Sequence, residues 1–381
     1  MPSRRFLTLL GLLALLHAYV GCRLLPALPV GPATRAIGVA VIVLSLVSMP
    51  LSFFARSFSS RRWGDRVAAV GLFMMGLFSS LFVFTLLRDV LLAPTVLLAN
   101  ASQVPAILSA SATLVVALAV AATLIGLVNA RRRAGIVKVE IPIRNLPEAL
   151  QGFTIAQISD VHVGPTIKGP YVDAIVDAVN ELKADLIAVT GDLVDGSVRD
   201  LAGHTAPFAR LNARHGAYFV TGNHEYYSGE RAWTAEFKRL GMRVLMNEHV
   251  VVTHAGERLV IAGVADFGAH HFDPKQKSDP AAALKNAPAD AGARILLAHQ
   301  PRSAPAAAAA GFDLQLSGHT HGGQFWPWNL FVRLQQPFTA GLHKLNDLWV
   351  YISRGTGYWG PPKRFGSPSE ITYLRLVRAA G

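Results

Sequence analysis

Nine polar side chains gather in five short stretches of the sequence. ISDVH carries Asp160 and His162, TGDLVD carries Asp192 and Asp195, and TGNHE carries Asn223 and His224. LAHQP carries His299, and SGHTH carries His319 and His321. Carboxylate, amide oxygen and neutral imidazole together suit borderline cations such as Mn, Fe, Zn or Co. Asp160 and His162 are two residues apart, so on an extended segment they point to one side and can hold one cation. Asp192 follows a glycine, where its carboxylate could bridge two ions. The glycines around His319 and His321 allow close approach of backbone and ligand. The single cysteine, Cys22, lies far from all of these stretches, which excludes a structural zinc knuckle and an intrachain disulfide.

Each stretch follows a short apolar run that reads as a strand: 153–159, 185–190, 217–221, 294–298 and 312–317. Further strands are expected at 258–264, 348–353 and 371–377. Val172, Ile175, Val176, Val179 and Leu182 recur at helical spacing in YVDAIVDAVNEL, and helices are also expected near 200–213, 230–240 and 302–310. The pattern is α/β, and the polar residues sit at the C-terminal ends of the strands, where ligands gather in such sheets.

The first third of the chain is of another kind. Runs at 6–22, 36–55, 67–87 and 104–128 are nearly free of charge and long enough to cross a bilayer. The expected organisation is a four-helix transmembrane region over 1–130, a basic linker and lead-in strand over 131–150, and a catalytic domain over 151–381. Of the net charge of +12, residues 1–140 carry +10 and the remainder +2. The basic residues therefore flank apolar segments, and no nucleic-acid footprint is expected. Ten Lys/Arg flank one side of the spans and three (Arg23, Arg35, Arg88) the other, which places both ends in the cytoplasm of a multi-pass membrane protein. VLLAPTVLLAN, 90–100, is read as an interfacial loop interrupted by Pro94; were it to cross, the globular domain would lie outside.

The order D-x-H, G-D-x-x-D, G-N-H-E, H, G-H-x-H over residues 153–323 resembles the calcineurin-like metallophosphoesterases. GHTHGGQ and SRGTGYWGPPKRFGSPSEI are similar to the bacterial, membrane-associated branch, some of whose members sit behind N-terminal spans. The resemblance implies a four-layer α/β/β/α sandwich and two divalent metals. Asp160, His162 and His321 would hold one metal, and Asn223, His299 and His319 the other, with Asp192 bridging. His224, oriented by Asp195, would stand beside the scissile phosphate without binding metal. Metal-activated hydroxide would then attack a phosphodiester or pyrophosphate. Asp195 is followed by Gly196 and Ser197 rather than the Arg-Gly of protein phosphatases, which counts against a phosphoprotein substrate. Arg354, Lys363 and Arg364 are candidate phosphate clamps.

Three functions stay open at this level: hydrolysis of a lipid-linked phosphate ester, hydrolysis of a soluble nucleotide or small phosphate, and a non-catalytic membrane scaffold or sensor. FWPWNLF (325–331) with Tyr358 and Trp359 supplies aromatics of the kind that favour a membrane surface. The expected partners are thus the bilayer and a phosphate ester.

Overall fold

The computed structural model describes residues 4–55, 58 and 60–379. Arg56, one of the flanking charges counted above, lies outside them. The chain divides into two compact units, 1–128 with 360–365, and 129–359 with 366–381.

The first unit holds α1 (Arg4–Leu24), α2 (Pro32–Phe54), α3 (Arg61–Leu98) and α4 (Val104–Arg131), the last reaching into the second unit. All four are long and apolar enough to cross a membrane. Small residues let α2 and α3 approach closely: a Cβ on Gly71 would collide with the Ser48 carbonyl, and one on Gly64 with that of Ala55. Several polar groups among the helices satisfy one another. His17 stacks on Phe78 at 3.7 Å and meets Ser45 Oγ at 3.0 Å. Asp89 accepts from Tyr19 and Arg23, each at 2.8 Å.

Two expectations change here. Residues 90–98 are not a loop but the last turns of α3, which runs 38 residues through Pro94. Proline removes one helix hydrogen bond, and the apolar run on both sides continues regardless. Arg88 is accordingly a helical residue, donating to Ser111 Oγ and the Leu108 carbonyl.

The second unit is built on two six-stranded sheets. Its elements are β1 (Gly135–Ile143), β2 (Thr154–Ile158), α5 (Gly169–Glu181), β3 (Leu186–Val189), α6 (Val198–Thr205), β4 (Ala217–Phe219), α7 (Asn223–Ser228), α8 (Glu230–Arg239), β5 (Arg243–Val244) and β6 (Glu248–His254). There follow β7 (Glu257–Gly263), α9 (Pro280–Ala283), β8 (Ala293–Leu297), α10 (Ala304–Ala310), β9 (Leu314–Ser317), β10 (Gly341–Leu345), β11 (Leu348–Ile352) and β12 (Glu370–Arg378). One sheet runs β1-β12-β2-β3-β4-β5 and the other β10-β11-β9-β8-β7-β6. Within them β2, β3 and β4 are parallel, as are β7, β8 and β9.

Strand alternation assigns the layers. On β3, Leu186 and Ala188 face the second sheet's Ile261, Ile295, Leu297 and Leu316 in one buried core. Ile187 and Val189 face the other way, into a core with Val172, Ile175 and Val176 of α5 and Trp233 and Phe237 of α8. Beyond the second sheet, Ala262 and Leu296 pack with Ala283 of α9 and Ala304 and Ala307 of α10. The result is four layers, α/β/β/α. Gln157 crosses between the sheets. Its amide donates to Thr190 Oγ1 at 2.9 Å and to the Ser317 carbonyl at 3.0 Å, tying β2, β3 and β9 together just before each delivers its polar residues.

Candidate metal centre

All nine residues arrive from the C-terminal ends of parallel strands. Asp160 and His162 follow β2, Asp192 and Asp195 follow β3, and Asn223 and His224 open α7 after β4. His299 follows β8, and His319 and His321 follow β9. The first loops are pinned to each other: Asp160 N–H donates to the Gly191 carbonyl at 2.9 Å, and His162 N–H to the Asp192 carbonyl at 3.1 Å.

The backbone here is not extended. Asp160, His162, Asp192, His319 and His321 all have φ between 52° and 71°, in the left-handed region. The same-side argument for Asp160 and His162 therefore fails in its premise, because β2 ends at Ile158. The pair converges through two left-handed turns instead. The glycines also serve a different end. A Cβ on Gly222 would run into Asp192 Oδ1, and one on Gly318 into the Asp160 carboxylate and Ser159 Oγ. These two glycines let neighbouring loops close onto the carboxylates.

Two clusters result. In the first, His162 Nε2 and His321 Nε2 are 3.0 Å apart, and His321 Nε2 is 3.4 Å from Asp160 Oδ1. In the second, His299 Nε2 lies 3.1 Å from both Asp192 Oδ2 and His319 Nδ1. Asp192 Oδ2 is also 4.0 Å from His162 Nε2, so this carboxylate stands between the clusters. A third grouping of His162, Asp192 and His224 satisfies the same proximity. The donor set fits cations. Asn223 Oδ1 is buried without a hydrogen-bond partner, an acceptor left open beside the second cluster, and imidazole nitrogens face each other as they do around ions.

Electrostatics separates the members. Burial raises Asp160, and the neighbouring Asp192 charge adds to that rise. Burial acts on Asp192 in the same sense, but His299 and His224 outweigh it and hold Asp192 well below the usual carboxylate range. Burial and the His299 charge push His319 down to about 3, so its ring is neutral and ready to ligate. Burial disfavours the His224 imidazolium, yet Asp192 and the Asp195 hydrogen bond lift it to about 9.

Asp195 does more than the sequence suggests. One oxygen takes the His224 Nδ1 hydrogen bond, and the other is 3.2 Å from His162 Nδ1. It thus hydrogen-bonds one ring and lies within ion-pair distance of the other. A second residue with an unforeseen role is Glu225. Its carboxylate accepts from Asp192 N–H at 2.9 Å, Leu193 N–H at 2.8 Å and Gly222 N–H at 2.7 Å, fastening two ligand loops together. The available signal was its place three residues after Gly222, the spacing of a capping box.

A family profile for calcineurin-like phosphoesterases matches residues 153–323. A transmembrane protein with metallophosphoesterase domain from Danio rerio is 38% identical over 262 residues, 67% of this chain and 60% of that protein. A Bos taurus protein of the same description is 39% identical over 269 residues, covering 68% and 60%. An uncharacterized metallophosphoesterase from Aquifex aeolicus is 33% identical over 241 residues, with 63% of this chain covering 90% of its length. The chain belongs to the calcineurin-like metallophosphoesterase family. It spans about 60% of the length of the two transmembrane relatives.

The candidate substrate residues of this metallophosphoesterase fall in different places. Arg354 pairs with the buried Glu370 at 2.7 Å and packs beside Gly322 of the histidine turn. Lys363 and Arg364 belong to the helical unit, where both are buried. There Lys363 Nζ donates to the Gly76 carbonyl at 3.1 Å and to Ser80 Oγ, and Arg364 N–H donates to the Gly126 carbonyl at 2.8 Å. Of the aromatics, Tyr358 is buried, whereas Trp326, Trp328, Phe331 and Trp359 are exposed. His224 stands edge-on to Tyr227 and Trp359, with ring centroids 5.2 and 5.5 Å away.

Proposed function

We propose that the chain is a membrane-anchored, two-metal phosphoesterase that hydrolyses a lipid-linked phosphodiester or pyrophosphate. The observation that carries this reading is the position of Asp192 between two buried ligand clusters. Asp160, His162 and His321 would hold one cation and Asn223, His299 and His319 the other, with Asp192 available to both. Bound divalent cations supply an acidified water and positive charge against the phosphoryl oxygens. The protein supplies orientation and a proton. Asp195 hydrogen-bonds His224 Nδ1 and stands 3.2 Å from His162 Nδ1, an arrangement that would leave each Nε2 for other work. At His162 that is ligation. At His224 it is donation of a proton to the departing oxygen as the P–O bond breaks.

The test measures metal content and turnover of an aryl phosphodiester. Asp192→Asn loses metal and activity together, whereas His224→Ala keeps its metals and loses turnover. An Asp192→Asn protein with two metals and a near-normal rate refutes the assignment.

Exposed Trp326 and Trp328, with Leu330, Phe331 and Leu334, form an apolar rim directly after the histidine turn, which supports a lipid-linked substrate. The wild type then prefers a lipid-linked ester over its soluble headgroup analogue, and a Trp326→Ala, Trp328→Ala double variant loses that preference. Equal turnover of both forms favours the second reading, a soluble nucleotide, for which Tyr227 and Trp359 beside His224 offer stacking faces. Four helices make an even number of crossings, since residues 90–98 extend α3. With the flanking Arg/Lys bias, this supports a cytoplasmic position for both chain ends. A C-terminal reporter active only outside the cytoplasm overturns that sidedness.

A further inference from the structure

A cavity of about 370 Å³, away from the metal clusters in the residues that line it, lies between the end of α4 and the start of α5. Its size falls within the ~300–1,000 Å³ typical of small-ligand sites. Three cations line it: Arg131, Arg133 and Lys168. Among the described residues, no carboxylate lines it. Glu181 reaches Arg133 at 4.0 Å, with both side chains more than half exposed, so that pair is largely screened by solvent.

Its walls are aromatic and fixed. Tyr171 donates its hydroxyl to the Thr356 carbonyl at 2.9 Å, and Tyr358 donates to the Thr166 carbonyl at 3.4 Å. Arg131 Nη1 donates to the same Thr166 carbonyl at 3.4 Å. The depth of the cavity follows from chain connectivity. Arg131 is the last residue of α4, an apolar helix long enough to cross a bilayer, so its guanidinium stands where hydrocarbon gives way to headgroups. Clustered cations and amphipathic tyrosines at that depth are complementary to one chemistry, the phosphate of an anionic lipid.

We infer that the cavity lined by Arg131, Arg133, Lys168, Tyr171 and Tyr358 is a binding site for the phosphate headgroup of an anionic phospholipid, distinct from the metal centre. The inference rests on the membrane association of the helices and not on any substrate of the metal site.

The experiment uses the full chain in detergent and counts retained lipid by native mass spectrometry. Phosphatidylglycerol is titrated as the probe, phosphatidylcholine as the neutral control and glycerol 1-phosphate as the soluble competitor. The variant is Arg133→Gln, Lys168→Gln; Arg131 is kept because it closes α4. A surface cation contributes about fivefold in affinity for anionic lipid, so the double variant should bind phosphatidylglycerol roughly 25-fold more weakly. Ala174→Trp, which fills the cavity and leaves every charge in place, should lose retention as well. Thermal unfolding midpoints that match the wild type show that both variants are folded. Equal retention by wild type and variants overturns the inference, as does equal retention of phosphatidylcholine. Displacement of phosphatidylglycerol by an equal concentration of glycerol 1-phosphate overturns the lipid as the source of the phosphate. Because binding is read without turnover, failure here leaves the reading of the metal centre untouched.

Discussion

Asp195 offers the sharpest test of the proposed site, because one carboxylate faces two rings to which the proposal gives different tasks. Its oxygens meet His162 Nδ1 at 3.2 Å and His224 Nδ1. Loss of such an outer partner typically costs ~10–100-fold in metal affinity or activity, or about 1.4–2.7 kcal/mol. Asparagine keeps one acceptor oxygen and turns an amide N–H₂ toward the other ring, so Asp195→Asn should forfeit one of the two contacts. Alanine forfeits both. The expected outcome for Asp195→Ala is a 10–100-fold rise in the metal concentration for half-activation and, separately, a 10–100-fold fall in kcat at saturating metal. Asp195→Asn should show mainly one of the two effects. The assay is a matrix of aryl phosphodiester rates against metal concentration, with bound metal counted by mass spectrometry. Metal activation unchanged within twofold in both variants, with the loss confined to kcat, would refute the shared role and leave Asp195 serving His224 alone.

Other outcomes follow from the same geometry. Gly222→Ala should lower metal content and destabilise the protein by about 1–3 kcal/mol in urea unfolding, because the added Cβ overlaps Asp192 Oδ1. Glu225→Gln should cost about 1–3 kcal/mol, since its amide N–H₂ would face backbone donors that now have an acceptor. Burial disfavours the His299 imidazolium, but Asp192 raises its pKa well above the usual imidazole range, so at neutral pH the metal-free ring holds a proton that a ligating ring cannot keep. Metal binding at pH 7 should therefore release protons, measurable as a dependence of the calorimetric enthalpy on buffer ionisation. Apparent affinity should rise with pH until the raised pKa is passed; a pH-independent affinity would show that His299 is neutral without metal.

The sequence displays residue types and spacings, and these carried the site a long way. Asp, Asn and His after five apolar runs marked five strand ends whose residues the fold brings near one another, while the end of β7, which carries the buried Asp266, was not among them. Backbone conformation was hidden. Nothing in ISDVH announces two left-handed residues, and the extended reading of Asp160 and His162 failed there. Partnerships made over distance were hidden too: Glu225 is visible as a cap, but its hold on Asp192 and Leu193 depends on β3 and β4 lying side by side. Pro94 misled in the opposite way, since an apolar environment on both sides keeps α3 helical where the residue alone suggests a break. The short edge strands β5 and β10 and the strand β6 lacked a signal strong enough to read.

The five left-handed residues also bear on how this centre can change through descent. Asp, Asn and His are several-fold enriched among non-glycine residues at positive φ, whereas β-branched and bulky side chains are outliers there. The backbone at positions 160, 162, 192, 319 and 321 thus acts as a filter on mutation. It admits exchange among three residue types that happen to be metal ligands, and it rejects most others before any question of chemistry arises. A lineage built on this scaffold can vary its ligand set by single substitutions, and so its choice of cation, while the loops keep their shape.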